Sequence, residues 1–500
     1  MPGPEKAAGN QLLSEARTDH SLGKWREARE KFSAVQARET LSTEDVLALG
    51  DSAWWLGFND EALSSFETAF QQLMAANAEP EAAKLALGLG FLWLLRGEQA
   101  IGSGWISRGQ QLLERLPDCV EQGYGRALEA ENALATGSFS ESIALAQEVQ
   151  SFGNRFQDPN LTVIGLFGEG VGRIRSGEIA RGMSLLDQAM IGVAAGTVDA
   201  DWAGNLYCQM MGICSELADF GRAIRWTDAT ERWCNRFTSA VMFWGVCRLH
   251  RSQLLQLGGD WSGAEAEAHQ VVKDLADMNI GAVAESHYQV GEINRLRGAY
   301  SRAEAAFKLA RELGRDPQPG LALLRLAQGR LDGAAAGVSA SLAATRDDFV
   351  RFRLRGAQIE VCLAREDLTG ATEALHEVER IAGTYPSPGL EAGAWQSSGA
   401  VRSSQLLPLP ERLPQFDESL PMLAEGRYTK NHDFVHRLKY AFAPGLHGKF
   451  WLGRSVALNP VGGLIRNHSQ LLHQAEIISH RPPFNGLAVV ESKRSARKTA

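Results

Sequence analysis

The sequence predicts an all-α chain, a right-handed solenoid of stacked helical hairpins followed by an irregular C-terminal tail. Three observations carry this. A turn-and-anchor signature recurs, with Gly or Asp before an aromatic residue and a small residue three positions beyond it. It reads Gly23-Lys-Trp25-Arg-Glu-Ala28, Asp219-Phe220-Gly-Arg-Ala223, Gly259-Asp-Trp261-Ser-Gly-Ala264 and Gly298-Ala-Tyr300-Ser-Arg-Ala303, with related forms at Gly57-Phe58 and Gly137-Ser-Phe139. The small residue also returns at a steady step. Ala28, Ala62, Gly102, Ser142, Gly182, Ala223, Ala264, Ala303, Ala334 and Ala371 are separated by 34, 40, 40, 40, 41, 41, 39, 31 and 37 residues. Composition agrees, being rich in Ala, Leu, Glu and Arg, with only 17 Pro and 7 Tyr in 500 residues to break helices or favour strands.

Each hairpin needs its small residue because the second helix packs closely on the first, and a larger side chain would force the backbones apart. In the second unit Val46, Leu49, Gly50 and Ala53 precede the turn at helical spacing, and Phe66 and Ala69 follow Ala62. In the eighth, His287, Val290, Gly291 and Asn294 precede the turn, and Ala303, Phe307 and Ala310 share one face after it. Gly291 admits the neighbouring helix, and Phe307 fills the groove. Pro80, Pro317 and Pro319 stand where helices end. A period of about 34 residues, stretched toward about 40 by longer loops, resembles tetratricopeptide repeats. Length alone suggests about three globular domains, but in a solenoid the core grows lengthwise, each repeat touching its neighbours.

The six cysteines, Cys119, Cys208, Cys214, Cys234, Cys247 and Cys362, include no CxxC pair and mostly sit in apolar helical stretches. They read as reduced, buried thiols of a cytoplasmic protein. The N-terminal Met-Pro-Gly-Pro-Glu-Lys is not a signal segment. The longest apolar run, Leu85 to Leu95, has 11 residues, against roughly 18 to 20 for a membrane span. No membrane partner is expected.

The chain divides near residue 390. Residues 1–400 hold 37 Lys+Arg and 52 Asp+Glu, while 401–500 hold 14 and 7. The predicted domains are a helical-repeat solenoid over 1–390 and a basic tail over 391–500, containing proline and histidine and poorly ordered. The helical pattern gives way near Gly393 without a linker. A shifted coding frame, leaving a truncated protein with an unselected tail, accounts for that; so does an unfamiliar accessory segment. Translating the other two frames beyond the Gly393 codon separates them.

Motifs for chemistry fail for physical reasons. A phosphate-binding loop needs Gly-x4-Gly-Lys-Ser/Thr, but Gly448-Lys449 is followed by Phe450 and preceded by Ala443 at the first glycine position. Gly168-Glu-Gly170-Val-Gly172 lies within a predicted first helix and reads as close helix packing rather than a dinucleotide turn. His376-Glu377 lacks a second ligand, Arg380 standing in its place, and reads as an exposed polar face. His468, His473 and His480 are not spaced to share one helical face. No catalytic, cofactor-binding or metal-binding residue is predicted, and no cofactor.

Ser52-Ala-Trp54-Trp55-Leu56-Gly57, Gly104-Trp105-Ile-Ser-Arg-Gly-Gln-Gln-Leu112-Leu113, His250-Arg-Ser-Gln253-Leu254, Arg295-Leu-Arg-Gly298-Ala-Tyr300 and Pro317-Gln-Pro319-Gly320-Leu-Ala-Leu-Leu-Arg325 are similar to the helical-repeat region of large bacterial LuxR-type transcriptional regulators. The resemblance covers about three quarters of the chain. It implies a regulatory and interaction module, usually accompanied by an ATPase and a C-terminal helix-turn-helix that binds DNA. Neither accompanying pattern is present here, so direct nucleic-acid binding is not expected of this polypeptide alone.

The leading reading is a protein–protein interaction module with a regulatory role in transcription through partners. A DNA-binding regulator using its basic tail is the alternative, and an enzyme, lacking a nucleophile or an acid–base pair, is the remote one. The candidate partner is a protein or peptide held in the concave groove. If first helices line that groove, Tyr288, Glu292 and Arg295 lie near Gln253 and Gln256 of the preceding unit. Some tetratricopeptide domains clamp a peptide carboxylate with Lys and Asn. Here Tyr288 and Glu292 occupy the positions that matter most, which argues against such an adaptor role.

Overall fold

The computed structural model of this protein describes residues 4–406, and the structural statements below concern these residues. They form twenty-one α-helices and no strand. Ten hairpins follow in order: α1 (Pro4–Ser21) with α2 (Trp25–Gln36), α3 (Thr43–Trp55) with α4 (Asn59–Ala75), α5 (Glu79–Leu95) with α6 (Gln99–Leu113), α7 (Glu121–Ala135) with α8 (Phe139–Phe156), and α9 (Pro159–Arg175) with α10 (Ile179–Ala195). The second five are α11 (Ala200–Glu216) with α12 (Phe220–Cys234), α13 (Val241–Gly258) with α14 (Trp261–Leu275), α15 (Ile280–Leu296) with α16 (Tyr300–Glu312), α17 (Gly320–Ala327) with α18 (Leu331–Ala344), and α19 (Asp348–Ala364) with α20 (Leu368–Thr384). A single helix, α21 (Pro388–Leu406), follows.

One local device makes every hairpin. The turn carries one residue at positive φ: Gly23, Gly57, Gly97, Gly137, Gly177, Ala218, Gly259, Gly298, Gly329 and Glu366. The next N–H bonds back to the carbonyl five residues earlier, as Phe58 does to Ala53 and Ala299 to Asn294, both at 2.9 Å. This satisfies an orphan carbonyl and stops the first helix. Ala218 and Glu366 adopt the conformation without being glycine, at a cost on the order of 1 kcal/mol each.

The predicted small residues fall five positions after these turns, and all are buried, including Gly102 and Ser142. A Cβ on Gly182 would lie 2.6 Å from the Gly170 carbonyl oxygen, and one on Gly102 would lie 2.9 Å from that of Gly90. No side chain fits there. Ser142 Oγ instead donates to Ala130 O at 2.9 Å, tying α8 to α7. Where the first helix carries Gly50 or Gly291, an aromatic from the second helix fills the space: a Cβ would meet Phe66 at 2.8 Å or Phe307 at 2.5 Å.

First helices pack against the first helices of the next hairpin, as α5 does on α7, α7 on α9, α13 on α15, α15 on α17 and α17 on α19. Second helices have no comparable mutual packing, so they fan out on the convex side and the first helices line the concave one.

The curvature is tight enough for the solenoid to meet itself. Thr238 Oγ1 donates to Gly23 O at 3.3 Å, Asn59 Nδ2 to Asp277 O at 3.1 Å, Tyr385 OH to Arg175 O at 3.1 Å and Ser387 Oγ to Leu217 O at 2.6 Å. These partners are 170 to 218 residues apart, so about five hairpins complete one superhelical turn. Arg175 bridges Glu216 at 2.7 Å and Asp347 at 2.9 Å along the same seam. At its other end Trp25, Trp55, Trp233, Phe237 and Phe243 pack together, with Trp25 stacked on Trp55 at 4.9 Å and Phe237 4.8 Å from Trp55.

Helix α21 runs across residue 390 and through Gly393. Pro388 opens it, a position where the missing N–H costs nothing. Residues 407–500, with the expected tail, Gly448-Lys449 and the tail histidines, lie outside the described residues.

Candidate binding channel

Counting back six residues from each turn residue gives one register position on the concave side. It carries Asp51 on α3, Glu131 on α7, Gln253 on α13, Glu292 on α15 and Glu360 on α19, and in the other five hairpins Arg17, Phe91, Val171, Gly212 and Leu323. Hairpins far apart in sequence face one another there. The Asp201 carboxyl of α11 is pushed well above the ordinary range by burial and then by the charges of Asp51 and Asp199. Glu216, at the end of α11, is raised by burial although Arg175 and Arg353 oppose the shift. Glu131 and Asp201 are reached by water, yet burial raises both carboxyls. Both stand on first helices, on the concave side that the seam between distant hairpins encloses as a channel. A cleft in its wall is lined by Glu131, Leu134, Gly168, Val171, Asn205 and Gln209 of α7, α9 and α11.

The predicted groove residues lie on α13 and α15. Tyr288 packs on Phe307 with ring centroids 5.6 Å apart, and the Arg315 guanidinium lies 4.1 Å from its ring centre. Glu292 and Arg295 are one helical turn apart and form a two-pronged pair, both bonds at 2.9 Å. They are 3 % and 4 % exposed, so this ion pair is buried between the helices rather than open to the groove. Gln256 is buried and accepts a hydrogen bond from Gln289 Nε2, while its own Nε2 has no partner. Gln253 is part-exposed and sits beside His250, whose imidazole is held down at about 4 by burial.

Glu360 was not singled out by sequence. Within Ile359-Glu360-Val361-Cys362 it is one carboxylate in an apolar run, and its register position identifies it only once Glu366 is known as the turn residue. Burial, reinforced by Glu292 and opposed by Arg295, raises its carboxyl to about 8. The side chain as a whole is part-exposed to the channel, but Oε1 is closed off from water and has no hydrogen-bond partner.

The motifs rejected for chemistry have structural roles. Gly170 admits Gly182 and Leu186 of α10, and Gly172 admits Ile143 of α8. Glu377 is not an exposed polar residue. It ties α20 to α19 through Arg351 at 2.6 Å and Arg355 at 2.5 Å, and these contacts hold its carboxyl below the usual range. Cys214, Cys234, Cys247 and Cys362 are buried free thiols, and burial raises all four. Among the described residues no cluster of three or more His, Cys, Asp or Glu is placed to hold a metal ion, and no helix is long and apolar enough to cross a membrane.

No protein-family model matches the sequence, and no curated protein does. Among solved structures, the chain is similar to yeast Tom70 at 12 % identity, covering 84 % of this chain and 100 % of that one with a TM-score of 0.35. It is also similar to a Rap protein complexed with Competence and Sporulation Factor, at 12 % identity, covering 76 % and 99 %, with a TM-score of 0.35. At these scores neither likeness carries an argument, and the fold rests on this chain's own helices and turns.

Proposed function

We propose that this protein is an interaction module that holds an extended or helical segment of another protein in the channel lined by its first helices. The observation that carries the reading is the set of acidic and amide side chains that five of the ten first helices carry six residues before the turn. A solenoid needs apolar side chains where helices touch; Asp51 is paired with His20 and Glu292 with Arg295, whereas Glu131, Gln253 and Glu360 at the same register position are at least part-exposed. A polar wall with aromatic Tyr288 beside it suits a peptide, whose backbone and side chains need both hydrogen bonds and apolar cover. We further propose that binding regulates transcription through partners. That part rests on the sequence resemblance to LuxR-type helical-repeat regions.

A photo-crosslinking amino acid placed at Gln253 in the channel, and separately at Lys308 on the exposed face of α16, tests the site. Peptides selected from a random display library should crosslink from position 253 and not from 308. Crosslinks from 308 alone would place binding on the convex side and refute the channel. For the regulatory part, transcript profiles of a deletion strain should be restored by the wild-type gene. They should not be restored by a channel variant that has lost peptide binding; full restoration refutes the link.

A further inference from the structure

From the second hairpin onward the seam follows one rule: the turn of each hairpin meets the start of the first helix five hairpins later. A Cβ on Gly57 would lie 3.4 Å from Val241, which opens α13, and one on Gly97 would lie 3.2 Å from Ile280, which opens α15. Arg175 at the fifth turn reaches Asp347, the cap of α19, at 2.9 Å, and Leu217 at the sixth accepts the Ser387 bond just before α21. The fourth turn breaks the rule. Its counterpart is the start of α17, yet a Cβ on Gly137 would have nothing within 4 Å, and neither would one on Gly314 in the loop that leads to α17. Residues 135–138 are all exposed, which is true of no other turn along the seam.

The cause lies in α17. It has 8 residues, whereas the shortest of the other first helices in the ten hairpins, α3, has 13. Pro317 and Pro319 keep α17 from starting earlier, and the loop before it is held back on its own hairpins, Arg315 by Glu285 at 2.6 Å and Asp316 by Ser341. Five missing residues are about 7 Å of helix, more than the roughly 4.8 Å between neighbouring extended chains. The gap also leads inward. Glu131, Asn132, Ala135 and Thr136 form an exposed line along α7, from the turn to the cleft that Glu131 shares with Asn205 and Gln209. Resting on the reading of the channel as a peptide site, we propose that the gap between the Gly137 turn and the α16–α17 loop is a side entrance through which the bound segment passes into the channel. A segment that enters sideways needs no free terminus. The partner that fits is therefore a folded protein presenting an internal extended linker, whereas entry from an end of the channel would admit only a terminal segment.

The test uses the full chain and a fluorescent peptide recovered from the display selection, in two forms. One is free; the other is the same sequence set between two small folded carrier domains, with flexible glycine–serine spacers on each side. Both forms should bind, with association rates by stopped-flow fluorescence within about tenfold of one another. Cys119→Ser and Cys208→Ser then remove the two part-exposed thiols. In that background a polyethylene glycol maleimide is coupled to Ser138→Cys at the gap, or to Glu98→Cys at the equivalent place on the third turn, where Ile280 closes the seam. Coupling at 138 should slow association of the linker form about tenfold or more, and coupling at 98 should leave it unchanged. Binding of the free peptide alone would overturn the side entrance and leave the peptide channel standing. A linker form slowed no more at 138 than at 98 would overturn it as well. If the selection yields no peptide at all, the channel reading fails and the entrance with it. Thermal unfolding of each coupled variant confirms that it is folded before rates are read.

Discussion

Phe307 and Gly291 provide a quantitative test of how the hairpins are held together. Phe307 is 1 % exposed, and its ring lies between two glycines. A Cβ added to Gly291 would lie 2.5 Å from Phe307 Cε1, and one added to Gly320 would lie 2.7 Å from Cζ. Phe307→Ala removes the whole ring and should cost about 3–5 kcal/mol, the usual range for a buried aromatic truncated to alanine. Gly291→Ala inserts a methyl where the ring is, an overpacking cost of about 1–3 kcal/mol. Alanine's better helix propensity returns about 1 kcal/mol. The double variant has the methyl but no ring to strike. It should therefore be no less stable than Phe307→Ala alone, and more stable by up to about 1 kcal/mol from the same helix preference. Urea unfolding followed by far-ultraviolet circular dichroism, with hydrogen exchange across α15 and α16, measures all four corners of the cycle. Additive costs would refute the argument, because they would mean that the ring and the glycine do not share that space.

Three further outcomes are expected. His250 is held down at about 4 by burial, so the folded state binds fewer protons than the unfolded one between that value and an unfolded value of about 6.5. Wild type should lose stability relative to His250→Gln as pH falls through this window, by at most about 1.4 kcal/mol per pH unit; parallel curves would contradict it. Glu360 behaves oppositely. With its carboxyl raised to about 8 by burial and Glu292 against Arg295, wild type should lose stability relative to Glu360→Gln as pH rises from about 4.5 to about 8 and stay level above that. A difference that grows below pH 4.5 would be inconsistent with a buried neutral acid. Ser387→Ala removes the 2.6 Å bond to Leu217 O and should cost about 1–2 kcal/mol. Exchange should quicken together in α21 and at the α11–α12 turn, whereas an effect confined to α21 would show that the seam is not closed there.

The hairpin register was readable in the sequence because it is set locally. Ala62, Ala264, Ala303, Ala334 and Ala371 mark the same contact in each unit, and a repeated contact leaves a repeated letter. Even Gly102 and Ser142 followed the step. The seam left no such trace. Thr238 with Gly23, or Asn59 with Asp277, joins single residues about five units apart, and a turn glycine looks the same whether or not another turn lies against it. Helix α21 crosses the expected division near residue 390 because Pro388 stands at its first position, where a proline is a common beginning. Part of the channel was accessible in principle. Gln253 and Glu292 were placed on the groove face from their spacing, but Asp51, Glu131 and Glu360 share their register position, and reading it requires the turn residue of every hairpin, including the non-glycine Glu366.

The seam also determines the order in which the protein can be completed. In an open array each repeat needs only the neighbour already made, so folding can follow synthesis from the N-terminus. Here Trp25 and Trp55 find Trp233, Phe237 and Phe243 only after about 200 more residues exist. The first two hairpins must therefore wait, with a tryptophan-rich edge uncovered, while four more and the first helix of a fifth emerge and wind back over them. Contacts of that sequence separation slow folding and bind distant parts into one cooperative unit. During that interval the N-terminal edge is the stretch of the nascent chain with most to gain from a chaperone, and a ribosome paused before Ala240 would present it unprotected.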